Sequence, residues 1–257
     1  MNRLAMIEEI KGWIYEAGNH IKASFAKDNL KVDTKSGRTD LVTDMDKATQ
    51  DFLIGKIMTF DPDAKVLGEE NGLDHLKDGT GRVFIIDPID GTMNFVLEQE
   101  NFCIMLAVYE EGQGVLGFVY NVMKDEFLYG GPETGVFCND QKVMPPENKA
   151  LSEGLVGMNH VMFQKNAWHT QEIGQIAMGV RMTGCAGYEL IDLALGRRVA
   201  YISRLAPWDY APGGVLIKAL GLEMSTIEGK ALGLEKRDAF LAGTKKAYEE
   251  CLRLANS

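Results

Sequence analysis

Cysteine is scarce in this chain: Cys103, Cys138, Cys185 and Cys251 are its four, and no two form a C-x-x-C pair. Thiols so scattered argue against a disulfide framework or a zinc site, and a reducing cytoplasm is the expected setting. Histidine is as sparse. His20, His75, His160 and His169 show no H-E-x-x-H or comparable ligand spacing, so they read as surface or packing residues. No apolar run approaches the ~20 residues that span a bilayer. The N-terminal MNRLAMIEEIKGWIYEAGNHI carries acids inside its apolar pattern and no small-residue cleavage site, so neither a membrane anchor nor a signal peptide is expected. Bases are the minority, 27 against 37 acids, for a formal net charge of −10. A protein that binds a nucleic-acid backbone would carry a basic face, so no nucleic-acid partner is expected. A small anionic substrate stays open, because bound cations can reverse a local field.

What is present is an ordinary globular composition, 46% hydrophobic and 25% charged over 257 residues. Leu4, Ile7, Ile10, Ile14, Ala17, Ile21 and Phe25 recur at helical steps and predict a first amphipathic helix. A second helix is predicted from about Asp44 to Phe60, with Ala48, Phe52, Ile57 and Phe60 on one face. AKVLGEE and VFIID read as strands, and FCIMLAVYE, GVLGFVYN, DEFLYGG and TGVFCN as an antiparallel meander. The text QKVMPPENKALS marks a boundary near 141–152. Beyond it strands and helices alternate, including a helix around 165–178 and another starting near Trp208. The chain therefore divides into an N-terminal α+β part, 1–145, and a C-terminal α/β part, 146–257.

Acids cluster where strands are predicted to end. Glu69 and Glu70 close one strand and Asp87 the next, with Asp90 following in DPIDGT. Unpaired carboxylates brought together would repel and take up protons. A hard divalent cation removes that conflict, because magnesium accepts carboxylates plus waters. Pro88 stiffens the connection between the two aspartates. Gly91 permits an unusual dihedral and a close approach of phosphate to the backbone, where the Gly91 and Thr92 amides can donate. Two metals ~3.5–4 Å apart suit phosphate-ester hydrolysis.

Four motifs in this order, LVTDMD at 41–46, GEE at 68–70, DPIDGT at 87–92 with Asn94, and WD at 208–209, resemble the inositol monophosphatase family. That family lies within the fructose-bisphosphatase-like group of magnesium-dependent, lithium-sensitive phosphatases. The resemblance implies a layered αβαβα sandwich, a homodimer, and two to three Mg2+ ions per site. It implies that Glu69, Asp87 and the Ile89 carbonyl hold a first ion, with Asp87 bridging to a second held by Asp90 and Asp209. Thr92, hydrogen-bonded to Asp46, would orient and help deprotonate the attacking water. Glu70 would support the site from behind, and Lys35 would sit on a polar loop closing over it. MTGCAG at 182–187 resembles the turn that meets substrate through backbone amides, which brings in Cys185 and Ala186. Asp209 also makes independent sense: after Pro207 it falls in the first turn of a predicted helix, where the macrodipole favours an anion.

The sequence departs from the pattern at one place. Family members acting on inositol phosphates carry a glutamate seven residues before the WD aspartate, and here that position is Ile202. Ser203 and Arg204 lie beside it, and an arginine suits a second phosphate or a larger anion. The expected substrate is a small phosphorylated metabolite: an inositol monophosphate, a sugar phosphate or bisphosphate, or the 2′-phosphate of NADP. Two other readings compete. A haloacid-dehalogenase-type aspartyl phosphatase also has an acid-rich D-x-D-G-T after a strand, but D-P-I-D-G-T is one residue longer and starts at position 87. A non-catalytic metal- or anion-binding module on the same scaffold needs none of the reactive residues, all of which are present.

Overall fold

The computed structural model describes residues 2–25, 32–34, 41–70, 72–76 and 78–257. The chain opens with helix α1 (Arg3–Ser24), the short strands β1 (Val32–Thr34) and β2 (Leu41–Thr43), and helix α2 (Asp44–Phe60). Strand β3 (Lys65–Gly68) and strand β4 (Arg82–Asp90) follow, then helix α3 (Thr92–Leu97). A meander comes next: β5 (Cys103–Glu110), β6 (Gln113–Asn121), β7 (Glu126–Gly131), β8 (Gly135–Cys138) and β9 (Gln141–Lys142). The second half runs β10 (Leu155–Met158), α4 (His160–Gln164), α5 (Thr170–Ile176), β11 (Gly179–Arg181) and α6 (Ala186–Ala194). It ends with β12 (Ala200–Leu205), α7 (Pro207–Ala219), β13 (Glu223–Thr226), β14 (Asp238–Gly243) and α8 (Lys245–Ala255).

Strands β3 to β9 form one seven-stranded sheet in chain order, and β11-β10-β12-β14-β13 form a five-stranded sheet. In the first, β3 and β4 run parallel and the others antiparallel; in the second, β10 pairs parallel with both β11 and β12. Alternation along the strands feeds three cores. On β4, Phe84 and Ile86 face Ile10, Ile14 and Leu53 of α1 and α2, while Val83 and Ile85 face the opposite core. That opposite core is filled by Leu190 of α6 and Leu216 of α7, and closed from beyond by Tyr201 and Phe240 of the second sheet. The far side of the second sheet buries Ile202 and Leu241 against Met162, Ile173 and Cys251 of α4, α5 and α8. Five layers result: helices, sheet, helices, sheet, helices. Buried on both faces, these strands read as apolar runs rather than clean alternations.

Details differ from the sequence reading for local reasons. On α2 the buried positions are Asp46, Thr49, Gln50, Leu53 and Ile57, whereas Ala48 is exposed. Of the helix expected around 165–178 only α5 forms, because Asn166, Trp168 and His169, all at left-handed φ (46°, 53° and 56°), separate it from α4. The β1–β2 ribbon has only three residues a side, too short for periodicity to mark. Pro212 does lie inside α7 without ending it, and Pro207 takes the tolerated first position.

Candidate active site

Parallel pairing of β3 with β4 sets Gly68 beside Ile86, so Glu69, just past the end of β3, comes level with Asp87 on β4. The side chain of Gln50 clamps the next residue: its Nε2 donates to the Glu70 carbonyl (2.7 Å), and the Glu70 amide donates to its Oε1 (3.0 Å). Glu70 itself is buried.

Strand β4 does not end at Asp87. It continues to Asp90 through a bulge: Asp87 faces Met105 and Asp90 faces Cys103, so three steps on β4 match two on β5. In a regular strand residues three apart point to opposite faces. The extra residue restores Asp90 to the face of Asp87, and Ile89 keeps its side chain in the helix-covered core. D-P-I-D is thus one residue longer than a plain alternation needs because the bulge re-aims the second acid.

After the bulge, Gly91 adopts φ 85°, a left-handed conformation that admits glycine without penalty, and a Cβ there would lie 3.0 Å from the Cβ of Cys185. It leads into α3, whose first residue is Thr92. The Thr92 hydroxyl lies 3.1 Å from Asp46 Oδ1 and 3.0 Å from the Ile89 carbonyl oxygen, so its single proton has two acceptors within reach. Asp46 is held for this by a capping box at the start of α2, where its Oδ2 accepts from the Thr43 amide (2.8 Å) and the Thr43 hydroxyl. Burial raises the Asp46 pKa, and the two Thr43 hydrogen bonds oppose that rise.

Asp209 arrives from the other half of the chain, in the first turn of α7, with Oδ2 accepting from the Ala206 amide at 2.7 Å. Oxygens of Asp87, Asp90 and Asp209 all lie within 4.8 Å of one another, and all three residues are buried. Burial raises all three pKa values, Asp87 well above the carboxylate range and Asp209 to about 7. Repulsion from Glu69 adds to each rise. Arg237, whose Nη1 lies 3.4 Å from Asp209 Oδ2, offsets part of it. A crowded, desolvated set of hard oxygens fits a divalent cation such as magnesium, and charge neutralisation would remove the conflict.

These residues floor a cleft of about 730 Å3. Glu69, Asp87, Ile89, Asp90, Gly91, Thr92, Cys185, Ala186, Arg204 and Asp209 all line it. Lys35 lies outside the described residues. The MTGCAG turn behaves differently from a plain substrate cradle: the Ala186 and Gly187 amides donate to Asp90 Oδ1 (3.2 Å) and Oδ2 (2.5 Å). Those donors therefore hold the carboxylate. Asn94 ties the turn to α3 by donating from Nδ2 to the carbonyls of Asn101 (3.0 Å) and Thr183 (2.8 Å). Ile202 turns away into the far core, and Tyr201, Ser203, Arg204 and Leu205 are the cleft-lining residues of β12. Arg237 was not singled out in the sequence; KRD at 236–238 has no spacing that would mark it. Glu189 was missed as well, a buried cleft-lining acid bonded to Arg198 Nε (2.9 Å).

Comparison with known proteins agrees with this arrangement. Residues 4–257 match the inositol monophosphatase family. Inositol-1-monophosphatase of Bacillus subtilis (strain 168) is 38% identical, with 98% of each chain covered. A solved IMPase/NADP phosphatase complexed with NADP and Ca2+ superposes with a TM-score of 0.93 at 28% identity, covering 100% of this chain and 97% of that one. A structure of IMPase/NADP phosphatase complexed with Mg2+ and phosphate gives 0.91 at 29% identity, with the same coverage. A match along nearly the whole chain, in fold as well as in motif order, leaves no room for an aspartyl phosphatase of another fold: the chain belongs to the inositol monophosphatase family and is a phosphoric monoester hydrolase.

Proposed function

We propose that this protein is a magnesium-dependent phosphomonoesterase in which water attacks the phosphorus of a small phosphorylated metabolite directly. The observation that carries the reading is the convergence of Asp87, Asp90 and Asp209, buried, within 4.8 Å. Glu69, Asp87 and the Ile89 carbonyl would hold one ion, and Asp87, Asp90 and Asp209 would hold a second; a third would share Glu69. Magnesium, when bound, supplies the charge that lowers the pKa of water and stabilises the leaving oxygen. The remaining work belongs to the chain. Thr92 and Asp46 orient the attacking water and take up its proton at Asp46 Oδ1, a relay supported by their 3.1 Å contact. The amides at Gly91 and Thr92 face the phosphate, and Gln50 holds Glu70 and its neighbour Glu69 in place. Lys35 is assigned to a closing loop on the resemblance alone.

Substrate choice falls to the rim. Arg204 and Arg237 line the cleft together, which favours a substrate with a second anionic group, a sugar bisphosphate or a 2′-phosphorylated nucleotide, over a bare inositol monophosphate. Residues 1–145 then supply most metal ligands, and residues 146–257 supply Asp209 and the rim. Four free thiols suit a reducing cytoplasm, and no described helix is long and apolar enough to cross a membrane. A homodimer follows from the family resemblance, and light scattering tests it. The decisive experiment is phosphate release from these three substrate classes, with and without Mg2+ and with added Li+. Magnesium-dependent, lithium-sensitive turnover is expected. Metal binding without turnover across the panel would favour the non-catalytic module.

A further inference from the structure

Two thiols lie behind the acidic cluster, and the phosphatase chemistry needs neither as a nucleophile. Cys103 opens β5 directly opposite Asp90, its partner across the bulge. Cys185 is the N-cap of α6. Their Sγ atoms are 3.7 Å apart, and Cys185 Sγ lies 2.9 Å from Asp90 Oδ2 and 3.6 Å from the Asp90 carbonyl oxygen. Both are free, buried thiols. One ligand atom from each of Asp90, Cys103 and Cys185 falls within 4.8 Å of the other two.

This is close to the arrangement around a tetrahedral thiophilic ion. Two sulfurs each ~2.3 Å from zinc at the tetrahedral angle stand about 3.8 Å apart. A carboxylate oxygen at ~2.0 Å stands about 3.5 Å from either sulfur, so Asp90 Oδ2 has to withdraw from Cys185 by only about half an ångström. Thiolates select zinc or cadmium over magnesium, which prefers oxygen alone. We infer that Cys103, Cys185 and Asp90 form a site for a thiophilic divalent cation, completed by a water or by the Asp90 carbonyl. Binding exchanges two S–H bonds for two sulfur–metal bonds and releases two protons to solvent, with no oxidant or reductant involved. Cys185 and Asp90 line the cleft floor, so the ion arrives through the same mouth as substrate. Occupancy engages Asp90 Oδ2, and zinc then opposes turnover; this last consequence rests on the magnesium reading above, whereas the binding does not.

Cobalt is the probe, because a cobalt–thiolate bond adds a charge-transfer band in the near ultraviolet that oxygen ligands do not give. Co2+ is titrated into the metal-stripped protein, and the band is expected to saturate at the intensity of one thiolate-bound cobalt per chain. Cys103→Ser, which keeps the side-chain volume, and Cys103→Ala should each weaken binding at least about tenfold, with circular dichroism checking the fold. Cys138→Ser should keep the band. Its absence in the wild type, or its persistence undiminished in both folded Cys103 variants, overturns the site. A parallel measurement compares phosphate release with and without Zn2+ at saturating Mg2+. A cobalt band without inhibition by zinc keeps the thiol site and counts against the magnesium role of Asp90, so the two failures are distinguishable.

Discussion

The floor of the cleft and its rim are built in opposite ways. On the floor, backbone amides grip the acids: Ala186 and Gly187 hold Asp90, Ala206 holds Asp209, and Thr43 holds Asp46. All three acids are buried, on or beside the first sheet and the helices that cover its two faces. On the rim, Arg204 is exposed and Arg237 is half exposed, with its guanidinium shared between Asp209 and the Arg204 carbonyl (3.2 Å). A preorganised floor serves one chemistry, and an adaptable rim is where related proteins diverge in substrate. Substitutions on the floor should therefore cost rate, and substitutions on the rim should shift preference.

The largest effect is expected at Asp87. Loss of a residue behind a metal ligand typically costs 10–100-fold, so removing a carboxylate proposed to serve both ions should exceed about 100-fold in kcat. Asp87→Asn should keep the fold, because burial and the neighbouring acids already push Asp87 toward its neutral form, which asparagine resembles. Steady-state phosphate release and a thermal melt measure both. Near-wild-type turnover with intact folding would contradict the assignment of the floor. Thr92→Ala comes next, with a loss of about 100-fold in kcat, in the range of general acid–base assistance. Its Mg2+ affinity, by calorimetry, should change far less, and equal losses in both would remove Thr92 from the proton path.

Much of the floor was legible because its motifs are contiguous: GEE, DPIDGT and WD each carry their acids within a few residues. The parallel β3–β4 pair was readable as two apolar runs ending in acids. The bulge was not. Period-2 alternation puts Asp87 and Asp90 on opposite faces, and only the pairing of Asp90 with Cys103 shows the correction. The rim was barely legible. Counting back from Asp209 reaches Ile202, yet that side chain faces the far core, and the cleft position belongs to Ser203. Arg237 comes from a separate segment, 28 residues beyond Asp209, and long-range juxtaposition of this kind has no local periodicity to betray it.

A third expectation concerns the floor without metal. Asp209 has its pKa raised to about 7, first by burial, against ~3.9 in an unfolded chain. Between those values the folded state keeps a proton that the unfolded state has lost, so stability falls as pH rises from about 4 to about 7. Below that window the group is protonated in both states; above it the penalty is constant. Urea unfolding in EDTA should show the decline. Mg2+ should restore most stability at pH 8 and least at pH 5, and Asp209→Asn should make the decline shallower, with Asp87 and Asp90, also raised by burial, keeping the rest. A profile that rises with pH in EDTA would mean the buried carboxylates are compensated within the chain.

The smallest effect tests the rim. Arg237 is a cation within 3.4 Å of Asp209, competing with any ion that Asp209 holds, and its side chain is half exposed. Exposed ion pairs contribute about 0.2–1 kcal/mol, so Arg237→Gln should tighten Mg2+ binding by no more than about five-fold. The same change removes a cleft-lining positive charge, so KM for a doubly anionic substrate should rise while kcat holds. An inositol monophosphate, with its single phosphate, should be affected less. Were both substrates to lose kcat equally, Arg237 would belong to the floor, and the division between a rigid chemical base and a selective rim would fail at the residue that touches both.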